Sequence, residues 1–209
     1  MASYREMMPE VILASQSVAR KWLLENEGIK VHAMPTGIDE FSDKKDPEGH
    51  VEDLAMQKMG RFLDEHPHPA LPVICCDTMI FFEGELIGKA RSIEEARAML
   101  RRFSGRKQVI ACGYAFYWHG RVFHGSDTAN VRFKVLSDKD IEEYLATGEW
   151  EGAAGAYRIQ WKGKSLVEST EGSEATMLGL PQEKIFAIIE ADCARQQRKI
   201  SIPAGMSKR

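Results

Sequence analysis

The sequence predicts an α/β fold built on a mixed sheet, and three observations carry that expectation. Strand-like and helix-like stretches alternate through the first half of the chain, while hairpin-like strand pairs follow in the second. The apolar run Val73–Phe82, β-branched and aromatic and bounded by Pro72 and Gly84, suits a strand buried on both faces. There is no internal repeat and no linker long enough to separate two domains. With 209 residues, 44% of them hydrophobic, the chain is large enough for one sizeable core or two closely joined lobes.

Residues 1–9 are polar and Met-rich, lack the apolar core of a signal peptide, and read as a flexible lead-in. Glu10-Val11-Ile12-Leu13-Ala14 is a short strand. Ser15-Gln16-Ser17 breaks it and caps a helix running from Val18 to about Glu27, with Gly28 as the stop. Two serines followed by Arg20-Lys21 at a strand-to-helix turn form a natural phosphate pocket, because helix-start N–H groups, the helix dipole and the hydroxyls all favour an anion. Taken alone, the same turn is an ordinary N-cap beside surface charges. Gly28 to Ala33 reads as a second strand. Pro35-Thr36-Gly37-Ile38-Asp39-Glu40 leaves it as a loop whose adjacent acids either hold a divalent ion through oxygen or are simply solvated.

Asp46-Pro47 opens a helix with Asp as N-cap and Pro at its first position. Its apolar stripe is Val51, Leu54, Ala55 and Phe62, widened by Met59 and Leu63, and Lys58 falls on that stripe. A lysine there either snorkels to water or faces a cleft. The helix ends before His66-Pro67-His68-Pro69, a loop. Asp77 and Thr78 stand in the middle of the Val73–Phe82 strand, where a carboxylate costs several kcal/mol unless it is paired, hydrogen-bonded or metal-bound. A tight turn near Glu83-Gly84 sends Gly88-Lys89 back along the strand, so a hairpin brings Lys89 towards Asp77. Such a pair is either a site for phosphate chemistry or a structural salt bridge.

Ser92-Ile93-Glu94-Glu95 reads as a capping box, opening a helix with Ile93, Ala96, Met99, Leu100 and Phe103 at helical spacing and a stop at Ser104-Gly105. Val109 to Trp118 is a strand, His119-Gly120 a turn, and Arg121 to Leu136 a long returning strand with a break near Gly125-Ser126. Ser137-Asp138-Lys139-Asp140 caps a helix carrying Ile141, Tyr144 and Leu145 and ending at Gly148. The small-residue loop Gly152-Ala153-Ala154-Gly155-Ala156-Tyr157 admits close approach of a backbone or ligand. Arg158 to Glu168 reads as a strand containing Gln160, and Glu171 to Thr176 as a polar loop. Leu180-Pro181 starts the last helix, and 195–209 is expected to be a basic, flexible tail.

A net charge of -3 advertises neither nucleic acid nor an acidic membrane surface, so a polyanion would need a local cluster of Lys and Arg. No apolar segment approaches the roughly twenty residues needed to cross a bilayer, and a cytoplasmic location is expected. Cys75, Cys76, Cys112 and Cys193 form no CxxC pair and read as small buried thiols. There is no GxGxxG, and Gly84 to Ala90 fails as a P-loop: three residues separate the glycines, and Ala follows Lys89.

Several motifs recur in the order and spacing of one family. They are Leu13-Ala14-Ser15-Gln16-Ser17 with Arg20, Gly37-Ile38-Asp39-Glu40, Asp77-Thr78, Gly88-Lys89, Ser104-Gly105, Gly155-Ala156-Tyr157 with Ile159-Gln160, and Gly179-Leu180-Pro181. Together they resemble the Maf proteins over roughly Val11 to Glu190, and residues 10–194 are taken as the Maf-like domain. The resemblance implies an elongated, two-lobed single domain with a central twisted mixed sheet flanked by helices, ITPase-like in fold. It implies a house-cleaning nucleoside triphosphate pyrophosphatase that uses Mg²⁺ or Mn²⁺ and admits a homodimer. It also implies a catalytic carboxylate at Asp77, triphosphate or metal contacts for Ser15, Arg20, Lys58 and Lys89, and a metal held by Glu40 and Asp77. Thr78 and Gln160 match the subfamily acting on dTTP and UTP rather than the one acting on 7-methyl-GTP, whereas Val18 and Ala19 stand where the family usually has Pro and then Arg or Tyr. A modified nucleotide is the other substrate expected. The competing class is a Maf-like binding module that senses nucleotide or serves cell-division (septum) control without turnover.

Overall fold

A computed structural model describes residues 3–200. Seven strands form one mixed sheet: β1 (Glu10–Leu13), β2 (Lys30–Ala33), β3 (Val73–Phe82), β4 (Glu85–Ile87), β5 (Lys107–Trp118), β6 (Arg121–Phe133) and β7 (Val167–Glu171). The order is β2-β1-β3-β5-β6-β7, with β4 also on β3. β1 pairs parallel with β2 and β3, the rest antiparallel, so the expected α/β class with a mixed sheet is what the chain adopts. The helices are α1 (Tyr4–Met7), α2 (Val18–Asn26), α3 (Pro47–Glu65), α4 (Ile93–Phe103), α5 (Asp138–Leu145), α6 (Glu174–Met177) and α7 (Gln182–Ile200). Among the described residues no helix is long and apolar enough to cross a membrane.

β3 organises the packing, because successive side chains of a strand point to opposite faces. On one face, Val73 and Cys75 pack with Ala55, Met59 and Phe62 of α3, and Phe81 with Val51. On the other, Ile74 and Cys76 join Leu24 of α2 and Ile185, Phe186 and Ile189 of α7. Farther along that face, Ile80 and Phe82 join Leu100 and Phe103 of α4 and Ile141 of α5. Asp77 and Thr78 stand between these clusters, one on each face. Burial pushes the Cys75 thiol up to about 12, and that of Cys112 well above its ordinary value, which keeps both protonated and inert.

The two edges of β3 differ. On one side β5 accompanies it from Val73 to Phe81. On the other, β1 pairs only at Val73 and Ile74, and β4 only from Ile80 to Phe82. On that second edge Cys75 to Met79 therefore has no strand beside it among the described residues: the sheet has a gap there, and Asp77 lies in its middle. Across the paired edge Asp77 faces Gly113. A Cβ on Gly113 would lie 2.1 Å from the Val51 carbonyl oxygen, so the backbone of α3 rests directly on β5 there.

Several expectations change. Residues 3–9 are ordered by a capping box at Ser3, by Tyr4 stacked on Phe186 at 3.7 Å and by buried Met8. β6 runs unbroken through Gly125-Ser126, where a Cβ on Gly125 would meet the Tyr114 hydroxyl at 2.9 Å. Ser92 caps α4 through the Glu95 N–H, but Glu95 accepts from the Arg91 N–H, one residue before the cap, so the box is only half formed. Arg158 to Leu166 is not strand. The Arg158 guanidinium donates to the Glu149 and Glu151 carbonyls, Gly163 packs against the Arg158 backbone, and Lys162–Leu166 closes as a 3₁₀ turn. The strand follows as β7, and the expected polar loop after it contains α6, capped by Ser173. Of the tail, 195–200 continue α7, and 201–209 lie outside the described residues.

Candidate active site

On one face of the gap, α3 carries Lys58 onto Asp77. The Lys58 Nζ donates to Asp77 Oδ1 at 2.5 Å and to Glu40 Oε1 at 2.9 Å. Asp77 is buried, and among the described residues its Oδ2 has no hydrogen-bond partner. Lys58 lies two turns after Val51, the residue seated on Gly113, so the helix-to-sheet contact fixes the reach of the ammonium. Burial works against the Lys58 charge, but the Asp77 carboxylate and the hydrogen bonds to Asp77 and Glu40 outweigh it, and its pKa is raised. The Lys58 ammonium is thus a fixed positive charge. The stability it contributes is complete below the ordinary lysine value and is lost only as pH rises through the raised one.

The opposite face belongs to Arg20, in the first turn of α2. Ser17 caps that helix by accepting from the Arg20 N–H at 3.3 Å. The guanidinium donates to the carbonyls of Gly179 (2.7 Å) and Cys76 (3.0 Å) and to the hydroxyls of Ser15 (3.1 Å) and Thr78 (2.9 Å). All four acceptors are neutral, so the arginine keeps its full charge at the gap. The Cys76 carbonyl it holds lies on the strandless edge of β3. Gly179, at φ +94°, approaches so closely that a Cβ would sit 3.0 Å from Thr78 Oγ1 and 3.1 Å from Arg20 Nε.

This tie is testable. Arg20→Lys keeps the charge but cannot span four acceptors, because an ammonium lacks the planar fork. Leaving part-buried carbonyls unpaired costs on the order of 1–3 kcal/mol. We expect a thermal midpoint several degrees below wild type by circular dichroism; an unchanged midpoint would mean that the acceptors rehydrate freely.

Beside Arg20 opens a cleft of about 980 Å³, lined by the α2 start (Ser17, Ala19, Trp22), the Arg158-to-Trp161 turn and the α6 region. Gln160 lies in this cleft and is exposed, on a turn rather than on the expected strand. Lys89 does not follow the expected course. At Gly88 the chain leaves β3: the Gly88 carbonyl accepts from Gly155, and Lys89 bridges Ala154. Lys89 is exposed, and among the described residues it has no hydrogen-bond or ion-pair partner. Asp77, Lys58 and Glu40 therefore form one cluster and Arg20, Ser15 and Thr78 a second; Gln160 lines the cleft beside the second, and Lys89 lies at the Ala154 bridge. Sequence reading passed over Trp22 and Trp161, although Trp22 lies off the Leu23-Leu24 buried side of α2, a legible sign of an apolar residue facing something other than the core.

A family profile described as Maf-like protein matches residues 10–191. A dTTP/UTP pyrophosphatase of Caldanaerobacter subterraneus is 35% identical over 185 residues, covering 88% of this chain and 89% of its own. A dTTP/UTP pyrophosphatase of Bacillus velezensis is 40% identical over 185 residues, with 88% and 97% covered. One from Pyrococcus horikoshii is 34% identical over 171 residues, with 82% and 90% covered.

Proposed function

The chain belongs to the Maf-like protein family, and from that premise we propose that it is a nucleoside triphosphate pyrophosphatase, hydrolysing its substrate to the monophosphate and pyrophosphate. The observation that carries this reading is the gap in the sheet at Asp77. It presents a buried carboxylate oxygen that has no partner among the described residues, beside two fixed cations, to a ligand that reaches both faces. Asp77 Oδ2 is the general base: it takes a proton from water as the oxygen attacks phosphorus, and the bridge between the α- and β-phosphates breaks, releasing pyrophosphate. Lys58 holds Oδ1 and so aims Oδ2. Lys58 and Arg20 offset the charge that develops on the phosphate oxygens, with Ser15 as a neutral donor and Lys89 joining from the exposed side.

The donor set also fits a divalent ion. The Asp77 and Glu40 carboxylates would offer hard oxygens, and Mg²⁺ or Mn²⁺ is often held by one or two carboxylates with the remaining positions filled by phosphate oxygen and water. Among the described residues no group of three or more His, Cys, Asp or Glu that could hold a metal ion gathers. Once bound, the ion supplies charge neutralisation to the triphosphate.

For the base, the relatives named above act on dTTP and UTP. The Gln160 amide, an acceptor and a donor side by side, matches the alternating carbonyl and N–H edge of uracil and thymine. With a polar edge matched in this way, a base lacking it leaves groups unpaired and is discriminated against. We therefore expect UTP and dTTP to be preferred over 7-methyl-GTP, and the role to be house-cleaning of the nucleotide pool. Pyrophosphate release from a nucleotide panel, with Mg²⁺ or Mn²⁺ and again with chelator, tests both statements. No release from any nucleotide would sink the enzyme reading in favour of a nucleotide-sensing module; a higher kcat/KM for 7-methyl-GTP would sink only the base assignment.

A further inference from the structure

The cleft beside Arg20 holds two indoles that the chemistry of the phosphates does not use. Trp22 is 54% exposed and Trp161 56% exposed, and both line the cleft that also contains Gln160. Val18, one turn before Trp22 and 78% exposed, extends the same apolar wall. Single exposed apolar residues are ordinary on a protein surface, but three sharing one concave surface mark a place for a ligand. Trp161 is also held in place. The Arg158 guanidinium lies 5.4 Å from its ring centroid, and Arg158 is itself anchored on the Glu149 and Glu151 carbonyls at 3.1 and 2.8 Å. One indole face is thereby covered, and the ring is oriented before any ligand arrives. Ala19 puts only a methyl group into this wall, so the position offers no polar contact to a base.

We propose that Trp22 and Trp161 are base-binding residues that hold the nucleobase by its aromatic faces while Gln160 meets its edge. The proposal rests on the reading of the substrate as a nucleoside triphosphate. The cleft suits a flat heteroaromatic ring: indole stacks on any base, and a neighbouring guanidinium strengthens the contact. Base binding in this chain thus rests on stacking, in the absence of a cationic or phenolic side chain at position 19.

The test is kinetic. Trp161→Ala and Trp22→Ala should raise KM for UTP and dTTP about 5- to 100-fold, the range expected for losing one base-stacking contact, with kcat within about 2-fold of wild type. Trp161→Phe should recover most of the loss. Inhibition by inorganic tripolyphosphate, which has no base, should be the same in all variants. An unchanged KM in both alanine variants would overturn the proposal, and so would a parallel weakening of tripolyphosphate, which would indicate general damage to the cleft. If the wild type turned over no nucleotide, the enzyme reading would fall on its own. Equilibrium dialysis of UTP against wild type and Trp161→Ala then reads the stacking directly: a 5- to 100-fold weaker variant supports it, and equal affinities overturn it.

Discussion

Asp77→Asn should lower pyrophosphate release by about 10²- to 10⁴-fold, the range for removing a general base, while the chain still folds. The amide keeps the shape of the carboxylate, and its oxygen can still accept from Lys58 at the Oδ1 position, 2.5 Å away in the wild type. What disappears is the basic oxygen at Oδ2, which has no partner among the described residues. The change leaves Lys58 with Glu40 as its one anionic partner, so a modest drop in thermal midpoint accompanies the kinetic loss. The decisive measurement is kcat on the preferred nucleotide beside a melting curve. A wild-type rate would make Asp77 a structural acid and rule out its role as general base.

Among the described glycines, Gly113→Ala would bring its new methyl group closest to other backbone atoms, and it should be strongly destabilising. The new Cβ would meet the Val51 carbonyl oxygen at 2.1 Å, its carbon at 2.2 Å and the Glu52 nitrogen at 2.5 Å. All three are backbone, so no rotamer relieves the clash and α3 itself must lift. Overpacking a core costs roughly 1–3 kcal/mol, and more where nothing can yield. For a chain of this size each kcal/mol lowers the melting temperature by roughly 2–4 °C, so a cost of about 3 kcal/mol is a fall of about 6–12 °C. Because Lys58 rides on α3, turnover should fall even at temperatures where the variant stays folded. A variant that melts with the wild type and keeps its rate would show that α3 does not need its seat on β5.

Much of this arrangement was legible in local pattern. The β3 core strand, the Ser17 and Asp46 caps and the placing of Lys58 on an otherwise apolar stripe all follow from spacing and residue type, and the structure has each of them. The Asp77–Lys58 pairing was half visible: an acid in a buried strand and a lysine on a buried helix face each need a partner, but nothing local says that each is the other's. The course of Lys89 was misread because hairpin geometry alone continues the β3–β4 ladder, whereas Gly88 turns aside to the Gly155 N–H. Arg158 to Leu166 deceived for a similar reason. Its composition suits a strand, and its conformation is set by an arginine holding two carbonyls from an earlier loop. The gap in the sheet depends on where β1 stops and β4 starts along β3, a matter of long-range register that no window of sequence contains.

An unpaired strand edge is ordinarily a hazard, since its free N–H and C=O groups can template a strand from another molecule and seed aggregation. The open stretch of β3 is protected against this. It runs only from Cys75 to Met79, is closed at both ends by β1 and β4, carries an inward carboxylate at Asp77, and has its Cys76 carbonyl taken by the Arg20 guanidinium. An incoming strand would find too few rungs and a buried charge among them. The same charges proposed to receive a triphosphate make the edge a poor mould for another polypeptide.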